Sequence, residues 1–147
     1  MNDLHASQIA DLLNARNQLV GNHSAQMIME KRDSYVYLLE GDIVIACVEV
    51  KKVQWYQYEI LHVSVNELFE GKGLGSEVYQ LAELKAIKAG AKILQCTIRS
   101  NNERSIRLFE SKGYKHTSTF YNADTNNVVN VYQKSVSIKT DNQYELI

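Results

Sequence analysis

A chain of 147 residues with 45% hydrophobic side chains is long enough to bury one core without disulfides or a structural metal, which excludes stapled miniproteins and disordered segments. A formal net charge of −1 supplies no basic field for nucleic acid or an anionic membrane. Cys47 and Cys96 each stand inside an apolar run without Cys-x-x-Cys or histidine spacing, so they read as small buried hydrophobes of a reducing cytoplasm, and no metal site is expected.

The N-terminal segment has neither a basic stretch nor a long apolar core, and no run reaches membrane-spanning length. Ile9, Leu12, Leu13 and Arg16 recur at spacings of three and four, which predicts a helix over 5–19 that breaks at Gly21; a short helix is expected over 24–31. The period then changes. SYVYLLEGDIVIACVEVKK, rich in β-branched and aromatic residues around Glu40-Gly41-Asp42, reads as a hairpin. A third strand is expected in QWYQYEILHVSV, with Tyr58, Ile60, His62 and Ser64 on one face and Glu59, Leu61, Val63 and Val65 on the other.

Next comes NELFEGKGLGSEVYQLAE, where Gly71, Gly73 and Gly75 crowd a short loop before a helix expected over 76–89, with Gly90 as its C-terminal stop. AKILQCTIR restores strand character. SNNERSIRLFESKG gives another helix, Ser100 and Glu103 being spaced as a capping box and Gly113 ending it. A right-handed crossover would lay the strands on either side of the glycine-led helix parallel and adjacent. The chain then reads as strand, polar turn and strand through YKHTSTFY, NADTNN and VVNVYQKSV, followed by a loose or edge-packed tail. The expected organisation is one domain over 1–139 with a tail over 140–147.

A glycine loop that leaves a strand and opens a helix presents backbone N–H groups at the positive end of a helix dipole, which suits a phosphate. Two familiar phosphate loops do not fit: Lys72 precedes Gly73 instead of following it, and the third glycine comes one residue early for a dinucleotide fingerprint. Glu70-Gly71-Lys72-Gly73-Leu74-Gly75 instead resembles the acyl-CoA signature of the GNAT superfamily of N-acetyltransferases, Arg/Gln-x-x-Gly-x-Gly/Ala, departing from it at Glu70. NERSIRLFESKGYK is similar to the second signature of that family, on which Asn102, Ser105, Leu108, Phe109, Gly113 and Tyr114 fall.

The resemblance implies a mixed α/β fold, a mostly antiparallel central sheet flanked by helices with a parallel strand pair splayed around the acyl-CoA site. It implies acetyl-CoA as cosubstrate without a metal, and transfer to a primary amine, small molecule or peptide, by direct attack in a ternary complex. Cofactor binding falls by resemblance on Val63, Ser64 and Val65 of the third strand, on Gly71, Lys72, Gly73, Leu74, Gly75 and Ser76 of the loop, and on Asn102, Ser105 and Phe109. Glu59 stands where some members carry a catalytic glutamate, with His62 a second candidate base on the opposite face. The usual acid is a tyrosine where this chain has Phe109, so either another hydroxyl, Tyr121, Ser105 or Tyr114, serves, or the thiolate leaves unassisted; Tyr121 is taken as the acid. Two other readings compete: an acyl-CoA-binding regulatory module without transfer, suggested by Phe109 and Glu70, and a protein-interaction domain that uses only the fold. The family usually begins with a strand, for which only residues 1–4 are available, and its exposed final strands leave a homodimer open.

Overall fold

The structure, a computed structural model, describes residues 1–16, 22–138 and 144–146. Its elements are α1 (Asp3–Arg16), α2 (Ala25–Glu30), β1 (Tyr35–Glu40), β2 (Ile43–Gln54), β3 (Gln57–Val65), α3 (Leu74–Lys88), β4 (Ile93–Arg99), α4 (Glu103–Ser111), β5 (Lys115–Asn122), β6 (Asn127–Ile138) and β7 (Tyr144–Leu146). The hydrogen-bonded order is β1-β2-β3-β4-β6-β5, with β7 on β6. This is the expected mixed, mostly antiparallel sheet with one parallel pair. No helix among the described residues is long and apolar enough to cross a membrane.

The chain forms two compact units, residues 1–50 with 62–82 and residues 51–61 with 83–147. In the first unit, Asn2 starts α1 earlier than the apolar spacing suggests: its Oδ1 accepts from the His5 amide at 2.8 Å and its carbonyl from Ala6. Asp3 and Leu4 thus already belong to the helix, and no strand precedes it among the described residues. The expected end of this helix, 17–21, lies outside the described residues. Ala6, Ile9, Leu12 and Leu13 line one face of α1 and build a core with Ile28 of α2, Tyr35 of β1 and Val44 and Cys47 of β2. The β1–β2 hairpin turns at Gly41, with a bulge between Leu38 and Leu39.

The second unit pairs β3 with β4 in parallel through Gln57, Tyr58 and Glu59 against Ile93, Leu94 and Gln95, as the crossover requires. Two amide hydrogen bonds tie the strands: Gln57 and Gln133 both donate Nε2–H to Gln95 Oε1, at 3.1 and 2.8 Å. α3 ends as predicted. The Ala91 amide reaches the Ala86 carbonyl and the Gly90 amide that of Ile87, with Gly90 at φ 104°, the paired closure that glycine permits.

The start of α4 differs from the capping-box expectation. Its cap is Asn102, whose Oδ1 accepts from the Ser105 amide at 3.2 Å, while Ser100 stands in the preceding turn. Asparagine reaches its own helix from the last non-helical position, so Ser100 is two residues too early. Asn102→Ala is therefore expected to cost about 1 kcal/mol, and Asn102→Ser to restore most of it, in denaturant unfolding. An unchanged midpoint in the alanine variant would discard the cap.

Part of the tail forms β7, where Tyr144, Glu145 and Leu146 pair antiparallel with Ile138, Ser137 and Val136. Residues 139–143 and 147 lie outside the described residues.

Candidate active site

In the first unit, β3 delivers the chain to the glycine loop through a fixed bend. The Asn66 amide donates to the Ile45 carbonyl at 2.9 Å, and Asn66 Oδ1 accepts from Leu68 N at 3.1 Å, closing a short helical turn over Glu67–Phe69. Gly71 and Gly73 then sit at φ 81° and 76°, a region closed to most side chains. The Gly73 carbonyl accepts the Glu77 amide at 3.1 Å, which makes Gly73 the cap of α3. First-turn amides of such a helix have no acceptor within it and face outward at its positive end.

Beyond the adjoining residues of the chain, no described atom lies within 4 Å of where a Cβ would stand at Gly71 or Gly73, so the backbone can be approached closely there. At Gly75 the same position meets Val65 Cγ2 at 3.7 Å and Val63 Cγ1 at 4.0 Å, which seats the first turn of α3 on the end of β3. Lys72 extends over the Phe69 ring, 5.3 Å from its centroid, and Glu70 is half-buried in extended backbone. The structure thus gathers Val63, Ser64, Val65 and the loop from Gly71 to Ser76 in one unit.

The other sequence-derived residues belong to the second unit. Glu59 is half-buried opposite Gln95, and after burial itself its charge is the second cause that raises the Cys96 thiol far above its ordinary range. Asn102 and Ser105 meet at the cap of α4. Phe109 is buried, edge-on to Tyr114 at 5.1 Å between ring centroids. Tyr121 is 62% exposed, and its hydroxyl donates to Asn126 Oδ1 at 2.8 Å.

Glu49, which sequence reasoning missed, gathers with the second candidate base His62 in the first unit. Glu49 of β2 is buried, with its Oε1 3.3 Å from the Tyr35 hydroxyl, which donates to it, and 4.0 Å from His62 Nε2. His62 has φ 58°, a left-handed residue inside β3, in which Ile60 and Ser64 of the expected shared face are both buried. The Ser64 hydroxyl donates to the His62 carbonyl at 3.0 Å, and the His23 ring meets the His62 ring edge-on at 5.7 Å. Burial lowers the pKa of His62 below its ordinary value against the opposing charge of Glu49, and His23 and Lys31 lower it further. The signal for Glu49 was available: it interrupts a run, residues 46–50, that is otherwise continuously apolar.

These features coincide with known proteins. The acetyltransferase (GNAT) family model matches residues 4–114, and the chain belongs to that family. Among curated proteins it is similar to the mycothiol acetyltransferase of Corynebacterium efficiens, 27% identical over 99 residues; the match takes in 67% of this chain but only 33% of the relative's length. The yncA protein of Salmonella typhimurium, solved with its cofactor acetyl-CoA, shares the fold at a TM-score of 0.78 and 16% identity, covering 97% of this chain and 95% of its own. Arabidopsis thaliana Naa50 in complex with the bisubstrate analogue CoA-Ac-MVNAL shares it at a TM-score of 0.75 and 18% identity, covering 92% and 95%.

Proposed function

We propose that this chain transfers an acetyl group from acetyl-CoA to a primary amine, by direct attack within a ternary complex. The observation that carries the reading is the open glycine turn running into the first turn of α3. Gly71, Lys72, Gly73, Leu74, Gly75 and Ser76 would hold the pyrophosphate by backbone N–H groups at a helix N-terminus, the Lys72 ammonium adding charge. Gly71 and Gly73 fit that task because nothing described stands above their backbone.

Acetyl-CoA supplies an activated acyl carbon; the protein must orient it, polarise its carbonyl and manage protons. Backbone groups of Val63, Ser64 and Val65 would align the pantetheine arm, and an amide there would polarise the carbonyl oxygen. Asn102, Ser105 and Phe109 are the contacts proposed from the α4 segment. The family resemblance routes proton removal through Glu59, and Tyr121 is the hydroxyl taken to return a proton in place of the tyrosine that Phe109 replaces. The acceptor class is an amine of a small molecule or a peptide, in line with what the named relatives act on or are bound to. The reading places the chain in the cytoplasm, with no nucleic acid, membrane or metal required and a homodimer permitted.

A second reading, an acyl-CoA-binding module without transfer, is favoured by Phe109, which cannot donate a proton, and by Glu70, a carboxylate in the phosphate loop. Calorimetry with acetyl-CoA and thiol release over a panel of amines and peptides separates the two. The transferase reading expects saturable binding and acceptor-dependent release; binding without release on any amine would replace it by the module, and no binding would remove both.

A further inference from the structure

We infer that His62 accepts the proton of the incoming amine and that Glu49 holds its ring for that task, the place that the family resemblance gives to Glu59. The inference rests on the acetyl-transfer reading above.

Glu49 sits in the middle of a buried stretch of β2, its side chain 8% exposed. A carboxylate there loses most of its hydration, so what faces it matters. It faces the Tyr35 hydroxyl and, as its ion-pair partner, a histidine that carries charge only when protonated. Such a carboxylate stabilises an imidazolium that forms during a reaction while leaving the resting ring neutral. The separation of 4.0 Å is wider than a direct hydrogen bond. Contacts of this kind are commonly long before substrate arrives and tighten in the complex.

The backbone points the same way. His62 holds a left-handed φ of 58°, uncommon among non-glycine residues, of which asparagine, aspartate and histidine adopt it most readily. It immediately precedes Val63, Ser64 and Val65, the positions proposed to align the acyl group. Its side chain is 22% exposed, so the ring is reachable from solvent.

With Nε2 toward Glu49, the proton of the neutral ring lies on Nε2 and the Nδ1 lone pair is left for substrate. The substrate ammonium gives one proton to Nδ1. Its lone pair then forms the C–N bond at the acetyl carbon as the C–S bond breaks. The second proton shed by the nitrogen goes to the departing sulfur, and the proton held by His62 is lost to water. Amide, thiol and one released proton account for every atom.

Four groups bear on the titration of His62: Glu49 from β2, Tyr35 from β1 through Glu49, and His23 and Lys31 from either side of α2. Burial outweighs Glu49, so the ring is neutral at pH 7 and the acid limb of kcat/KM falls below the ordinary histidine value, about 6.5.

The test is steady-state kinetics of the full chain from pH 5 to 9, with acetyl-CoA and the fastest amine of the panel. His62→Asn keeps a residue that tolerates left-handed backbone. It is expected to lower kcat by about 100-fold or more, leave the KM for acetyl-CoA within about threefold and erase the acid limb. Glu49→Gln is expected to lower kcat by about 10-fold and move the limb to lower pH, because the charge that supports the imidazolium is gone.

Imidazole NMR of His62, which needs no acceptor, should show the proton on Nε2 in the wild type and a lower titration midpoint in Glu49→Gln. Wild-type turnover with an undiminished His62→Asn rate overturns the inference and leaves the transfer reading standing. An acid limb kept in His62→Asn but lost in Glu59→Gln returns the role to Glu59. A wild type that turns over no amine overturns both.

Discussion

Replacing Gly73 by alanine is expected to lower the melting temperature and to remove the stabilisation that acetyl-CoA provides, whereas the same replacement at Gly75 is expected to raise the melting temperature of the free protein. The two positions are chemically identical in the sequence and opposite in the fold. Gly73 holds φ 76° and caps α3 with its carbonyl. Alanine in that region pays about 1–2 kcal/mol, and relief of the strain would turn the Gly73 amide and its neighbours away from the anion they are proposed to meet.

Gly75 lies within α3, where a Cβ would make ordinary contact with Val65 and Val63 at 3.7 and 4.0 Å. Alanine there restricts the unfolded chain and suits the helix, worth about 0.4–1 kcal/mol of added stability. Thermal unfolding with and without millimolar acetyl-CoA reads both effects. Melting shifts of the same sign in the two variants would show that the backbone difference between them does not govern the loop.

The largest stability effect is expected at the Lys134–Glu83 ion pair. Lys134 of β6 has 6% of its side chain exposed, and its ammonium donates to the carboxylate of Glu83 on α3, whose side chain is 20% exposed. The same ammonium stands 5.8 Å from the centroid of the Tyr114 ring. Removing one member of so buried a pair leaves the other's charge without its counter-ion, so Glu83→Leu, which leaves the more deeply buried ammonium, should cost about 3 kcal/mol or more, and Lys134→Met somewhat less because the Glu83 left behind retains more water.

The double variant should recover most of the loss, since two apolar side chains of similar size need no hydration. Chemical denaturation of the two single variants and the double variant measures the coupling directly. Purely additive losses in the double variant would mean that the pair contributes no interaction of its own.

Much of this fold was legible because its signals are local. The β-branched and aromatic enrichment of β1 and β2, the three- and four-residue spacing of Ile9, Leu12 and Leu13, and the stops at Gly90 and Gly113 each depend on a few neighbouring residues. The loop was legible for the same reason: glycine is the residue that left-handed backbone selects, and it is visible as a letter.

What escaped depends on geometry that letters do not carry. The left-handed φ at His62 is reached without glycine, so uniformly extended backbone was expected where one residue of the continuous strand departs from it. Glu49 and His62 are adjacent only through folding, as are Lys134 and Glu83, which are 51 residues apart in sequence. At α4, two polar residues competed for one cap, and only the true start of the helix decides for Asn102 over Ser100.

β5 ends the hydrogen-bonded order of the sheet, and every residue from Lys115 to Tyr121 is exposed except for its pairing with β6. An open strand of this kind is a template for pairing with another chain, and charge repulsion between molecules is one of the forces that oppose it. That repulsion vanishes near pH 6.4, where the net charge passes through zero. Colloidal stability should therefore be poorest in the same interval in which His62 titration is to be followed, and light scattering belongs beside every rate measured there.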